Sequence, residues 1–349
     1  MSLYLHVGWP KTGTSFLQMF FAMNQKVLFE NGVVYPEFFD LTFVRKGVYG
    51  QGNGFSLAYH FLDDKSITKC SFPEVNDYDL LSCLRKYRNE TKVLISTEWF
   101  TCLSDQALLK IKRVAESAGH DVKLVAYIRP FLEFVESEYA QGIKQGVSSL
   151  DVVSENIKPS YKEVLCRMMG VFGEEALCVR PYLPEQWVDG ELWKDFIATL
   201  DVLSLADGYT VPGRVNSSVH PLLLAVQLRC NRLGMGFSEK EILTIQSGLS
   251  DVLRNYPVGT WLSDSDVDFY KKLFEPEKCW LQSHVMSSES GFLLRDHRKE
   301  GMFRNMDYLE NPDYYISLVR EVEERKGEPY FNLCAHARAL NQFFISTFS

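Results

Sequence analysis

The chain has 349 residues, 46% of them hydrophobic and 23% charged, enough for one large domain or two smaller ones. Its formal net charge of −8 argues against a general nucleic-acid surface, so any basic site must be local. No run of about 18 apolar residues points to a membrane span. The eight cysteines (Cys70, Cys83, Cys102, Cys166, Cys178, Cys230, Cys279 and Cys334) are scattered without CxxC pairs. That scatter reads as reduced, mostly buried thiols rather than zinc ligands or a disulfide framework.

In chain order, Leu3, Leu5 and Val7 alternate with Tyr4 and His6, as in a strand. Because this strand begins by Leu3, no signal peptide is expected and a cytoplasmic protein is. The stretch Phe16, Leu17, Met19, Phe20, Phe21 and Met23 reads as a buried helix. Between strand and helix lies GWPKTGTS, with Gly8 and Gly13 at the spacing of the nucleotide-binding pattern GxxxxGK[ST]. Ser15 closes the pattern, but Thr14 stands where its lysine belongs, and the one lysine of the turn is Lys11. The two glycines permit unusual backbone angles, and Pro10 stiffens the turn. The remaining N–H groups, with the hydroxyls of Thr12, Thr14 and Ser15, are expected to face an anion at the helix N-terminus.

Residues 31–79 are less regular, with Gly50-Gln51-Gly52-Asn53-Gly54 at their centre, and are expected to cover the mouth of a site and help to select its substrate. Lys92–Thr97 (KVLIST) is the next strand, and Ser104 is placed to cap a helix running to Ser117 and ended by Gly119. Leu124–Ile128 is a continuous apolar run, the pattern of a parallel strand buried on both faces. Arg129 then emerges at its C-terminal end, where ligands bind in open α/β sheets, and Pro130 suits the first turn of a helix. Ala176–Tyr182 is a further strand and Leu192–Leu200 a further helix. Strands alternating with helices predict an α/β fold, a parallel sheet flanked by helices.

The second half reads as helical: Pro221–Leu233 capped by Ser217 or Ser218 and stopped by Gly234, an amphipathic stretch Ser238–Arg254, and a helix from Asn311-Pro312 to about Lys326. The apolar residues Phe331–Phe348 are expected to pack on the body or on another subunit. The expected organisation is an α/β core over 1–215 and a helical C-terminal part over 216–349 packed on that core.

PKTGTSFLQ resembles the 5′-phosphosulfate loop of sulfotransferases that use 3′-phosphoadenosine 5′-phosphosulfate (PAPS), usually PKTGTT or PKSGTT before an apolar helix, with Ser15 here in place of the second threonine. The family's second signature, an apolar strand ending in arginine with a serine eight residues on, is matched by Arg129 and Ser137. The segment RVNSSVHPLLLAVQLRCNRL is also similar to one in bacterial sulfotransferase-like proteins. The resemblance implies a P-loop-type fold and PAPS as donor with no metal. Residues Pro10, Lys11, Thr12, Gly13, Thr14 and Ser15 would hold the 5′-phosphosulfate, and Arg129 and Ser137 the 3′-phosphate. The missing membrane anchor, found on many eukaryotic carbohydrate sulfotransferases, points to a prokaryotic source.

Sulfuryl transfer builds charge on the bridging oxygen, and Lys11 is the candidate to stabilise it. A base is needed for an acceptor hydroxyl. Glu98, just after the strand Lys92–Thr97, is one candidate, and carbohydrate sulfotransferases have a similar glutamate. His60, in GFSLAYHFL, is the rival, since cytosolic small-molecule sulfotransferases use histidine. His6 is expected to pack or hydrogen-bond locally, His220 to shape a helix start, and Arg295, His297, Arg298 and Lys299 to form a solvated basic face. Trp9, Phe55, Tyr59, Trp99 and Phe100 are candidates for either an apolar acceptor site or core. The acceptor is expected to be a carbohydrate or glycolipid hydroxyl. Two other readings stay open. One is a small-molecule P-loop kinase using ATP and Mg²⁺, against which stand the displaced lysine and the lack of an apolar strand ending in aspartate. The other is a non-catalytic nucleotide-binding protein of the same fold.

Overall fold

A computed structural model describes residues 1–46, 52–88, 92–148, 157–202, 208–213, 218–234, 236–286, 290–298, 304, 305, 307–311, 313, 314, 317 and 318. Lys299, Gly50, Gln51, Ser217, Cys334 and the expected tail Phe331–Phe348 lie outside them, as does most of the helix expected from Asn311 to Lys326.

The fold is α/β. Five parallel strands, β1 (Ser2–Val7), β2 (Val33–Val34), β3 (Lys92–Thr97), β4 (Asp121–Ile128) and β5 (Leu177–Pro181), form one sheet in the order β2-β3-β1-β4-β5. Val7 at the end of β1 lies opposite Thr97 of β3 and Ala126 of β4, so Gly8, Glu98 and Arg129 all leave the sheet from its C-terminal edge. Successive side chains of a strand point to opposite faces, and Leu124, Val125, Ala126, Tyr127 and Ile128 are all buried, so β4 is covered on both faces as its sequence predicted. β1 differs from the alternation of its sequence. His6 is as fully buried as Leu5 and Val7, because β1 is the central strand and a parallel sheet carries helices on both faces.

The chain divides into two compact units, each drawn from separate stretches of sequence. The first takes residues 1–129, 159–216 and 279–290 and contains the whole sheet. In it, α1 (Thr14–Met23) packs with the helix Leu192–Thr199, burying Leu17, Phe20 and Phe21 against Phe196 and Ile197. A second group of helices, Asp77–Lys86, Asp105–Ser117 and Tyr161–Phe172, packs together and on β4 and β5. Ser104 caps the helix Asp105–Ser117 by accepting the Ala107 N–H, and Gly119 follows it at φ +80°, as the sequence predicted.

The second unit takes residues 130–158, 217–278 and 291–349, and its regular elements among the described residues are helical. The helix Pro221–Arg232 packs on Phe131–Lys144, and Asn231 donates to the carbonyls of Ile143 and Val147. Its N-cap is His220, whose Nδ1 accepts the Leu222 N–H, so His220 shapes the helix start as expected and Ser218 does not cap it. Pro221 at the first helical position fixes where the helix starts, so the cap is the residue just before it. The stretch Ser238–Arg254 is two helices, Glu239–Gly248 and Ser250–Leu253, the first opened by a Ser238–Glu241 capping box. The long helix Asp264–His284 contains Pro276, a residue that reads as a helix breaker.

Seven cysteines lie among the described residues and all are free. Cys230 alone of these is buried, while Cys102, Cys166 and Cys279 are exposed, so the thiols are less buried than their scatter implied. Among the described residues no helix is long and apolar enough to cross a membrane.

Candidate functional site

The site is built where β1 hands over to α1. Gly13 is the N-cap of α1 at φ +73°, a left-handed conformation that glycine adopts without steric cost. Gly8 is required for space rather than angle: a Cβ there would sit 2.4 Å from Thr14 Cγ2 and 3.1 Å from Glu98 Cγ. A Cβ on Gly13 would likewise stand 2.6 Å from Leu192 Cδ2 and 3.0 Å from the Tyr182 ring. Lys11 is itself left-handed at φ +67°, a conformation that costs a residue with a Cβ about 1–2 kcal/mol. Gly13 has no side chain with which to cap α1, and no acidic residue lies in its first turn. Its N-terminus therefore keeps the positive end of the helix dipole and its unsatisfied N–H groups for another acceptor.

The three hydroxyls of the loop differ in what they do. Thr12 is fully buried and its hydroxyl donates to the Trp9 carbonyl at 2.7 Å, closing the turn on itself. It braces the loop rather than facing an anion, as its position in the sequence had implied. Thr14, 3% exposed, donates its hydroxyl to Glu98 Oε1. Ser15 is partly exposed in the first turn of α1, and Pro10 is exposed.

Glu98 follows β3 and opens the turn Glu98–Cys102, held by Thr97 Oγ1, which accepts the Trp99 N–H. The Gly8 N–H donates to the Thr97 carbonyl at 3.3 Å, which ties the end of β3 to the start of the loop. Glu98, Thr14 and Gly8 are thus one contact group from two strands and a helix.

Arg129 leaves β4 next to the same loop. Its Nη1 donates to the Lys11 carbonyl at 3.1 Å, and its guanidinium lies 5.7 Å from the centre of the Tyr182 ring. Tyr161 holds its backbone: the phenol accepts the Arg129 N–H at 2.9 Å and donates to the Arg129 carbonyl at 3.1 Å. Tyr182 is set by its own N–H, which donates to the Ile128 carbonyl. Neither tyrosine was found from the sequence. Tyr182 had a signal, being the residue just past the end of β5 on the sheet edge that carries Gly8, Glu98 and Arg129. Tyr161 had none.

The other expected residues fall elsewhere. Ser137 is partly exposed in the helix Phe131–Lys144 of the second unit. His60 lies in the helix Phe55–Phe61, with Nε2 3.0 Å from Asp77 and Nδ1 3.4 Å from Glu74, so both ring nitrogens face carboxylates. Its partners are these two side chains, not the loop. The central glycine-rich stretch is anchored where described: Gly54 N–H donates to the Ser96 carbonyl, and buried Asn53 accepts the Ser96 N–H and donates to the carbonyls of Pro36 and Leu94. His6 hydrogen-bonds Ser96 Oγ through Nδ1 at 2.8 Å, the local bond its sequence position implied, and burial lowers its pKa to about 3. Arg295, His297 and Arg298 lie in the second unit, each bonded to carboxylates: Glu133 for Arg295, Glu136 for His297, and Asp296 with Asp264 for Arg298. That basic cluster is neutralised within its own unit.

No family model, curated protein or solved structure matches this chain. Function is therefore argued from the site itself.

Proposed function

We propose that this protein is a sulfotransferase that uses 3′-phosphoadenosine 5′-phosphosulfate and acts on a hydroxyl acceptor, a carbohydrate or glycolipid. The observation that carries the reading is the bond from Arg129 Nη1 to the Lys11 carbonyl, which sets a second cationic group beside a glycine-cornered anion loop. In the strand order β2-β3-β1-β4-β5, the connection after β1 leads toward one edge of the sheet and the connection after β4 toward the other. The crevice between β1 and β4 is thus a switch point, the place where open α/β sheets bind ligands.

The residues present fit such a donor. The loop has no room for side chains at Gly8 and Gly13, which leaves backbone N–H groups and the helix dipole to meet a 5′ anion. Arg129 suits a phosphate, since its guanidinium can donate two parallel bonds, and Ser137 is assigned to the same phosphate on the motif alone. When bound, the donor supplies a sulfuryl group on a phosphate leaving group. Lys11 stabilises charge at the leaving oxygen, Thr14 orients the Glu98 carboxylate through its hydroxyl, and Glu98 takes the acceptor's proton on a carboxylate oxygen. His60 is the weaker candidate for that role because Asp77 and Glu74 already engage its ring. The cytoplasmic location belongs to this reading.

One observation favours a second reading. In phosphoryl-transfer sites a loop hydroxyl and an acidic residue at the end of a neighbouring strand hold Mg²⁺, and Thr14 with Glu98 is such a pair. A kinase would then use ATP and Mg²⁺. Incubating the protein with the sulfuryl donor and a panel of sugars, glycolipids and phenols, without metal, separates the two. Acceptor-dependent release of 3′-phosphoadenosine 5′-phosphate is expected, and Glu98→Gln should slow it by about 10²–10⁴-fold. No release from any acceptor, with ATP turned over in Mg²⁺, would put the kinase in its place.

A further inference from the structure

Tyr161 belongs to neither motif, yet it is the residue on which both converge. It is fully buried, and its hydroxyl bonds the backbone of Arg129 at both the N–H and the C=O. Its ring meets Trp9 edge to face, with centroids 5.2 Å apart. Trp9 is the loop residue whose carbonyl anchors Thr12, and its own Nε1 donates to the Pro159 carbonyl, two residues before Tyr161. Arg129 in turn reaches the loop through the Lys11 carbonyl. The contacts close a circuit, from Lys11 to Arg129, to Tyr161, to Trp9 and back along the chain to Lys11.

We propose that Tyr161 is a positioning residue that fixes the separation between the loop and Arg129, and so makes the site selective for a nucleotide carrying two separated anionic groups over one carrying a single 5′ anion. This rests on the proposed function, since it takes the loop and Arg129 as the two anion sites. The physical cause is local. Arg129 lies between the last residue of β4 and Pro130, beyond the ladder of the sheet. The Tyr161 hydroxyl supplies partners for both its N–H and its C=O, groups that are costly to leave unpaired when shielded from water. Without that clamp the guanidinium loses its fixed origin, while the loop, braced by Thr12 and by Gly8 on Thr97, keeps its own shape.

The test is calorimetric titration of adenosine 3′,5′-bisphosphate and adenosine 5′-phosphate into the wild type, Tyr161→Phe, Arg129→Ala and the double variant. The wild type should prefer the bisphosphate. Tyr161→Phe should weaken the bisphosphate about tenfold and the monophosphate less than about twofold. On the Arg129→Ala background, Tyr161→Phe should cost nothing further, because its effect acts through that arginine. Equal losses on both ligands, or an undiminished loss without Arg129, would reduce Tyr161 to a packing residue and overturn the proposal. Should Tyr161→Phe fail to fold, Trp9→Phe loosens the same ring contact, and the preference for the bisphosphate should fall with it; an unchanged preference overturns the proposal equally. A wild type with no preference would instead overturn the assignment of two anion sites, and this proposal with it.

Discussion

Lys11 carries a conformational cost that its chemistry has to justify. A left-handed non-glycine residue persists where the surroundings over-determine it, and such residues cluster at functional sites. Lys11→Gly separates the two aspects. It should stabilise the fold by up to about 1 kcal/mol in a denaturant titration while lowering turnover by about 10²-fold or more in the nucleotide-release assay. Unchanged turnover would remove Lys11 from the mechanism. Gly8→Ala tests the loop from the other side: the new methyl would meet Thr14 and Glu98 together, with a cost of about 1–3 kcal/mol in stability. His6 yields a pH prediction. Burial holds its pKa near 3, so the folded protein keeps it neutral while the unfolded chain takes up a proton below about 6.5. Its contribution is fully present above about pH 6.5 and is lost as pH falls toward 3, by about 1.4 kcal/mol per pH unit in that window. Urea titrations of wild type and His6→Gln at neutral and acid pH should show a flatter acid limb in the variant, and parallel limbs would contradict this account.

Among the elements, the helix Phe131–Lys144 is fixed in the second unit through Glu136. Burial would raise the carboxyl of Glu136, but bonds from His297, Thr260 and the Trp261 N–H outweigh it and hold the group below its ordinary range. The bond to Glu136 raises His297 in return, against the opposing effect of its own burial. The Glu136 contribution is therefore present above the ordinary carboxylate pKa and lost in acid, and the His297 contribution is present below its ordinary value and lost as pH rises through the raised one. Replacing His297 by Gln should cost about 2 kcal/mol near pH 6 and much less near pH 9, below the full penalty for a buried pair because both side chains keep some solvent contact. An equal loss at both pH values would show that the imidazole acts by packing alone. Elements were legible in the sequence where a local signal marked their ends, as Ser104 and Gly119 do around one helix. They were illegible where tertiary packing overrides local preference, as in the helix Asp264–His284 with Pro276 inside it.

For the whole molecule, alternating strands and helices were enough to predict a parallel α/β sheet, and the sheet edge that carries Gly8, Glu98 and Arg129 followed from the strand ends. The sequence could not convey contacts between distant segments. Thr14 and Glu98 are 84 residues apart and Arg129 and Tyr161 are 32 apart, and no periodicity or turn pattern encodes such pairs. The same limit misread Thr12, whose hydroxyl lies in the right motif but turns inward to Trp9. The central claim is that the β1–β4 crevice binds a nucleotide with anions at both the 5′ and 3′ positions and needs no metal to do so. Calorimetric titration of the purified protein with 3′-phosphoadenosine 5′-phosphate in the presence of a chelator, against ATP with Mg²⁺, tests it most directly. The account predicts tight, metal-free binding of the bisphosphate and weak binding of ATP. A preference for ATP with Mg²⁺ would contradict it, and would assign Thr14 and Glu98 to a metal instead.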